Sequence, residues 1–241
     1  KLNYNANFGY AHEDGFTPGN TLVKYNGGIG ITAKLTNKFT VSTTLNFART
    51  DMVTPPISAA GAGGGIAGSG FSLFSELLFT PRSVDLLGLP FETPIDHRSV
   101  YYRSGNDIQN PRWTAKYNQQ TDNVNRVYGK TSFNYAITDH LSAVYRLGVD
   151  TYSEVQEYII PKGGRQNGNY LNGLYRTTDI TNTIWDHTFL LNYNKDLSPD
   201  INLTGTLGAN IRQDSYNQTG EESVNQIVFG FNNHANFTEH S

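Results

Sequence analysis

The stretch that decides the fold is NYAITDHLSAVYRLGVDTY, residues 134–152. From Leu141 onward, the side chains fall into two interleaved sets. One set is mostly apolar and consists of Leu141, Ala143, Tyr145, Leu147, Val149 and Thr151. The other is mostly small or polar and consists of Ser142, Val144, Arg146, Gly148 and Asp150. Alternation with a period of two predicts a β-strand with one apolar face, and a short turn at 138–140 precedes it.

The same alternation recurs in six further runs, at 2–10, 23–35, 39–47, 126–137, 185–193 and 201–211. Most of the seven runs extend for about ten residues, roughly twice the length of a usual strand in a soluble sheet. Short turns alternate with longer links, and the turns are 36–38, 138–140 and 195–200, while the links are 12–20, 51–125, 159–178 and the residues after 214. Long antiparallel strands, tightly joined at one end and looped at the other, predict an all-β fold, namely a transmembrane β-barrel.

About seven strands are predicted, because the run 223–237 alternates poorly and lies where a surface loop is expected. An open barrel edge cannot lie in hydrocarbon, since its unpaired backbone groups would find no water there. We therefore expect further strands from outside residues 1–241.

A soluble β-sandwich is the alternative, because its strands also alternate. The outward face of a sandwich is usually rich in Lys and Glu, whereas the polar sets here are mostly Asn, Thr, Ser and Gly, which suits a wet barrel interior. Aromatic residues also lie toward both ends of the apolar faces, as interfacial girdles do; they include Phe39, Tyr135, Tyr193, Tyr10, Phe47 and Trp185. We therefore expect the apolar face to contact a lipid bilayer.

Composition excludes several other functions. Charged residues make up 16% of the 241 residues and the net charge is −3, so no basic surface suggests a nucleic-acid partner. There is no Cys to form disulfides or thiolate metal sites. Gly63, Gly65 and Gly68 match the spacing of a dinucleotide-binding loop, but Pro55 and Pro56 precede them and no parallel strand follows. The six His residues show no metal spacing. We predict no catalytic, cofactor or metal site, and the protein is not expected to be an enzyme.

The connection 51–125 is the longest, and connections of this length are usually functional when they are ordered. A flexible stretch at 54–70 precedes FSLFSELLFTPRSVDLL, residues 71–87, which predicts a short amphipathic helix ending at Pro81. Its apolar side, Phe71, Phe74, Leu77 and Leu78, packs either within the loop or against a partner. The candidate contacts to cargo or partner are large side chains suited to desolvated contacts, namely Tyr101, Tyr102, Arg103 and Trp113.

Residues 110–164 carry N-P-x-W, then DNVNRVYG, then TDHLSAVYRLGVDTYS. In these motifs the chain resembles the SusC/RagA family of TonB-linked outer-membrane transporters of Bacteroidetes. The resemblance covers most of the chain and is weakest in the Gly-rich insertion. It implies consecutive strands of a barrel of about 22 strands, with the plug and the TonB box outside this segment.

The resemblance also implies a function and its partners. The expected function is TonB-dependent import of glycan or peptide fragments across the Gram-negative outer membrane, with the loop 51–125 outside the cell. The expected partners are a SusD-like surface lipoprotein, the TonB complex, the lipid bilayer and an oligosaccharide or peptide cargo, with no cofactor. The alternative is a non-transporting binding module, either a soluble carbohydrate-binding sandwich or a surface adhesin barrel.

Overall fold

The computed structural model describes residues 1–56, 72–102, 109–164 and 171–241. In these ranges eight strands form one antiparallel sheet in sequential order. The strands are β1 (Leu2–Asp14), β2 (Thr21–Lys34), β3 (Phe39–Thr54), β4 (Gln119–Ala136), β5 (Leu141–Ile160), β6 (Leu174–Ser198), β7 (Ile201–Gln226) and β8 (Phe237–His240). Two helices, α1 (Leu73–Phe79) and α2 (Pro111–Tyr117), lie between β3 and β4, and a 3-10 helix (His234–Asn236) precedes β8. The fold is an all-β segment of an antiparallel barrel.

Across the first seven strands, the register places two adjacent rows of opposite character side by side. One row is entirely apolar and consists of Leu2, Ala33, Val41, Phe133, Tyr145, Phe189 and Ala209. The adjacent row is entirely polar and consists of Asn3, Thr32, Ser42, Ser132, Arg146, Thr188 and Asn210. The period-two alternation therefore identified the first seven strands correctly, while the short eighth strand was not predicted.

The apolar face is open along β7. Leu207 is 72% exposed and Ile211 is 69% exposed. In the described part of the chain the strands form a single sheet, and no second sheet covers this face. A β-sandwich would bury such a face between two sheets.

The strands are longer than the alternation predicted. β3 continues to Thr54 and β4 begins at Gln119, so the connection predicted at 51–125 spans 55–118. The expectation that residues after 214 form a loop is wrong, because β7 continues to Gln226 and pairs with β8. The physical reason is that the apolar pattern ends before the ladder does. From Gln213 to Gly220 both faces of β7 are largely polar, yet pairing with β6 continues.

Short turns and longer connections alternate along the chain, so the longer connections all join the strands at the same end of the sheet. Tight turns at 35–38, 137–140 and 199–200 lie at one end, and the connections 15–20, 55–118, 161–173 and 227–236 begin and end at the other. We call the described residues 72–102 and 109–118 the loop layer. Neither helix of the loop layer exceeds seven residues, and in the described ranges no helix is long and apolar enough to cross a membrane.

Candidate functional site

The motif N-P-x-W builds the start of α2. The side-chain oxygen of Asn110 accepts a hydrogen bond from the backbone N–H of Arg112 at 3.0 Å, which caps the helix. Pro111 occupies the first helical turn, where its missing N–H costs nothing. Trp113 is fully buried at 0% exposure, and its indole N–H donates to the carbonyl oxygen of His97 at 2.7 Å. The motif therefore supplies a helix cap, a helix start and the core of the loop layer.

The turn that follows β5 attaches this core to the sheet. The backbone N–H of Ser99 donates to the carbonyl oxygen of Gly163 at 2.9 Å. The hydroxyl of Tyr101 donates to the carbonyl oxygen of Gly164. Gly164 also lies directly against Trp113, since a Cβ at this position would overlap the indole ring. The loop layer is thus tied to the β5–β6 connection by hydrogen bonds and by one close contact.

The candidate contact residues occupy different environments. The rings of Tyr101 and Tyr102 are half-buried, and the hydroxyl of Tyr102 donates to the carbonyl oxygen of Pro90. Trp113 is enclosed, so in this conformation its ring supports the loop layer from inside. Arg103 lies outside the described residues. A direct contact of these side chains with cargo or partner stays a prediction.

An apolar pocket of about 730 Å³ opens between the β1–β2 connection and the two helices. Its walls come from both parts, and the large side chains that line it are Phe16, Leu73, Phe74, Leu77, Leu87 and Phe91. Phe16 and Phe74 stack with ring centroids 6.0 Å apart. This surface was not predicted, because it joins residues that are far apart along the chain.

Helix α1 presents one side to the pocket. Ser72 caps it by accepting a hydrogen bond from the N–H of Ser75 at 3.1 Å. Phe74 and Leu77 line the pocket, as the amphipathic pattern indicated. Leu78 does not line the pocket and is 79% exposed. Phe71 and the glycines at 63, 65 and 68 lie outside the described residues.

Two cations border the pocket, and the loop layer engages both. The guanidinium of Arg112 lies 4.4 Å from the ring centroid of Phe91 and donates to the carbonyl oxygen of Leu86 at 2.8 Å. The ammonium of Lys116 lies 2.8 Å from a carboxylate oxygen of Glu92. Partial burial acts to raise the pKa of Glu92, but hydrogen bonds from Lys116 and Tyr117 outweigh it and hold that pKa below its ordinary value. The pocket can therefore receive an apolar group beside fixed positive charge.

A second cluster lies at the end of β7 and was missed by the spacing analysis. Glu221, His234 and His240 place their ligand atoms within 4.8 Å of one another. The sequence offered only H-x5-H as a signal, and Glu221 joins the pair only because β8 folds back onto β7.

No protein-family model and no curated protein matches the chain. Solved structures match it in fold. Against "Structure of the RagAB peptide transporter" the TM-score is 0.71 at 18% identity, covering 100% of this chain and 26% of that chain. The RagAB peptide importer in the "open-open" state gives the same values. The "closed-closed" state gives a TM-score of 0.65 at 14% identity, covering 92% of this chain and 27% of that chain.

At these identities the likeness shows the fold alone. The chain spans about a quarter of the length of the solved chains it matches, which is 26% for the first of them. It has the fold of the matching barrel segment of those solved chains.

We predict that Gly164→Ala disrupts the loop layer, because the added methyl group would overlap the side chains of Trp113 and Gln109. The expected cost is about 1–3 kcal/mol, as for other overpacked sites. Hydrogen exchange of the full-length protein should then speed up in peptides covering 109–118. Gly205→Ala is the control, since a Cβ there meets nothing within 4 Å. Equal exchange in both variants would show that Gly164 does not hold Trp113 in place.

Proposed function

We propose that this chain is part of a TonB-dependent transporter that imports nutrient fragments across a Gram-negative outer membrane, together with a SusD-like surface lipoprotein. The observation that carries the proposal is the single antiparallel sheet with one open apolar face, which matches the RagAB transporter along 100% of this chain at a TM-score of 0.71. The motifs of residues 110–164 support the same family.

The height of the apolar face fits a membrane. On β7 the outward apolar positions run from Ile201 to Ile211. At about 3.3 Å per residue and a tilt near 45°, these residues cover about 25 Å, the height of the apolar band of outer-membrane barrels. Beyond the band, the strands continue as polar extensions toward the end of the sheet that bears the long connections. That end would therefore lie outside the cell.

The sheet edges support a larger barrel. In the described part of the chain, β1 has one strand neighbour, and most of β7 is paired on one side only. Unpaired N–H and C=O groups are unfavourable in hydrocarbon, so further strands must pair with both edges. A barrel of about 22 strands, as in the family that the sequence resembles, would supply them. The plug and the TonB box would lie in those other parts.

Peptide fragments are the cargo that the pocket favours over oligosaccharides. Its wall is made mainly of Phe, Leu and Pro side chains, which suit the apolar side chains of a peptide. The solved relatives in fold are named as a peptide transporter and a peptide importer. Tyr101, Tyr102 and Arg103 remain our proposed contacts to cargo or lipoprotein, and Trp113 would act by holding the loop layer in shape.

Uptake in a deletion strain tests the proposed function. Cells lacking the full-length protein should lose uptake of labelled peptides and regain it when the gene is restored. A protonophore should abolish the restored uptake, because TonB-dependent import is energised. Uptake that persists in both conditions would support the alternative of a non-transporting adhesin. Labelled oligosaccharides, tested in parallel, decide the cargo class.

A charge on the apolar face should destabilise the barrel. We expect Leu207→Arg to make folding into a bilayer less favourable by about 2–4 kcal/mol, because the site lies near the middle of the band. Thr206→Arg, one residue away on the polar face, should cost much less. Folding titrations of the full-length protein in liposomes measure both values. Equal costs would contradict the assignment of the faces.

The two ends of the sheet should differ in access from outside the cell. We expect a cysteine at Ile95, an exposed residue of the loop layer, to react with a membrane-impermeant thiol reagent on intact cells. A cysteine at Asn37, in a tight turn, should react only after lysis, because barrels of this kind keep short turns in the periplasm. Labelling of Asn37→Cys on intact cells would show that the orientation is the opposite of the one proposed.

The pocket should contribute to cargo binding. Leu77→Glu places a carboxylate on the apolar wall of the pocket, and we expect peptide uptake to fall about tenfold or more, because an apolar cargo group that covers this charge would have to remove it from water. Leu78→Glu is the matched control, since that side chain does not line the pocket and is already exposed. Co-purification of the lipoprotein with each variant shows whether the pocket holds cargo or lipoprotein. Equal uptake by the two variants would remove the pocket from the proposal.

A further inference from the structure

Beyond the apolar band, near the end of β7 that bears the long connections, three elements bring metal-binding side chains together. Glu221 belongs to β7, His234 to the 3-10 helix and His240 to β8. Both histidines turn Nδ1 toward the same carboxylate oxygen of Glu221, at 3.5 Å from His234 and 3.3 Å from His240. Two imidazoles and one carboxylate thus converge on one point.

These separations match those between ligands of a tetrahedral metal ion. Zinc binds His nitrogen and carboxylate oxygen at about 2.0–2.2 Å, so two of its tetrahedral ligands lie about 3.4 Å apart. All three ligand atoms of the cluster lie within 4.8 Å of one another. Only a small movement of the side chains would therefore complete three positions of a tetrahedron.

Two neighbouring hydroxyls contact the imidazoles: that of Ser223 lies where both Nδ1 atoms converge and would give up these two bonds to a metal ion, and that of Thr177 holds the ring of His234 from its other side. The hydroxyl oxygen of Ser223, a fully buried residue, lies 2.7 Å from Nδ1 of His234 and 2.8 Å from Nδ1 of His240. The hydroxyl of Thr177 lies 2.9 Å from Nε2 of His234. With Nδ1 on a metal, Nε2–H would donate to Thr177, which is the arrangement that usually orients a ligating histidine.

We propose that Nδ1 of His234, Nδ1 of His240 and the carboxylate of Glu221 bind a divalent transition-metal ion of the zinc class. A water molecule takes the fourth position, next to the hydroxyl of Ser223. Imidazole ligands select zinc, copper or nickel over calcium and magnesium, which require oxygen ligands. The side chains of His240 and Glu221 are 46% and 47% exposed, so the ion can enter from solvent.

The ion joins the end of β8 to β7 and so adds to a short ladder. The two strands pair through three residue pairs, Ser223–His240, Val224–Glu239 and Gln226–Phe237. The connection between them also reaches the loop layer, because Phe229 lies 5.3 Å from the ring centroid of His97 and 5.2 Å from that of Tyr117. Metal binding therefore fixes a connection that packs against the core of the loop layer.

Zinc titration of the full-length protein tests the site. Metal-stripped protein in detergent competes with a chromophoric chelator, and the wild type should bind one more equivalent of zinc than His234→Ala/His240→Ala. His140→Ala, in a tight turn at the opposite end of the sheet, should bind as the wild type does. Thr177→Val should weaken binding about tenfold while leaving the stoichiometry unchanged. Calcium should not compete.

Carboxylate variants and hydrogen exchange separate metal binding from misfolding. Glu221→Gln should weaken zinc binding, whereas Glu239→Gln, on the opposite face of β8, should not. Zinc should slow hydrogen exchange of 227–240 in the wild type and leave the double histidine variant unaffected. Equal zinc stoichiometry in the wild type and in a folded double variant would overturn the proposal. Binding at millimolar zinc only, or exchange that zinc does not change, would also overturn it.

Discussion

The continuous antiparallel ladder from β1 to β7 is the constraint on which the rest of the structure depends. Each pairing fixes the next, so the apolar row that starts at Leu2 reaches Ala209 with no polar side chain in it. A slip by one residue in any pair would exchange this row with the polar row that starts at Asn3. The register therefore determines both which face is apolar and where the connections emerge.

The longer connections emerge side by side at one end of the sheet, and this brings segments that are distant in sequence into contact. The β5–β6 turn lies beside the loop layer, so Gly163 and Gly164 can accept hydrogen bonds from Ser99 and Tyr101. The apolar pocket arises in the same way, from the β1–β2 connection and the two helices. Neither contact is local in sequence, and both depend on the strands having the correct length.

The sequence predicted the fold correctly where a local period in hydrophobicity marks the secondary structure. The alternation around Leu141 identified a strand, and the repeated turn lengths identified an antiparallel sheet. It failed beyond Asp214, because β7 is stabilised there by its ladder with β6 while its side chains show no apolar face. It also could not place Asn110 and Trp113, whose roles as cap and core require the folded loop layer. The resemblance marked these residues without supplying a physical reason.

The same dependence on the folded chain explains why the sequence did not predict the cluster of Glu221, His234 and His240. No spacing rule brings this carboxylate to His234 and His240, because the contact depends on the chain reversing after β7. The reversal also carries Phe229 to Tyr117, which in turn packs on Trp113 with ring centroids 5.1 Å apart. One continuous set of contacts thus leads from the strand end to the helix that borders the pocket. Any ligand that stabilises the reversal must also stabilise the loop layer, since the two share these aromatic contacts.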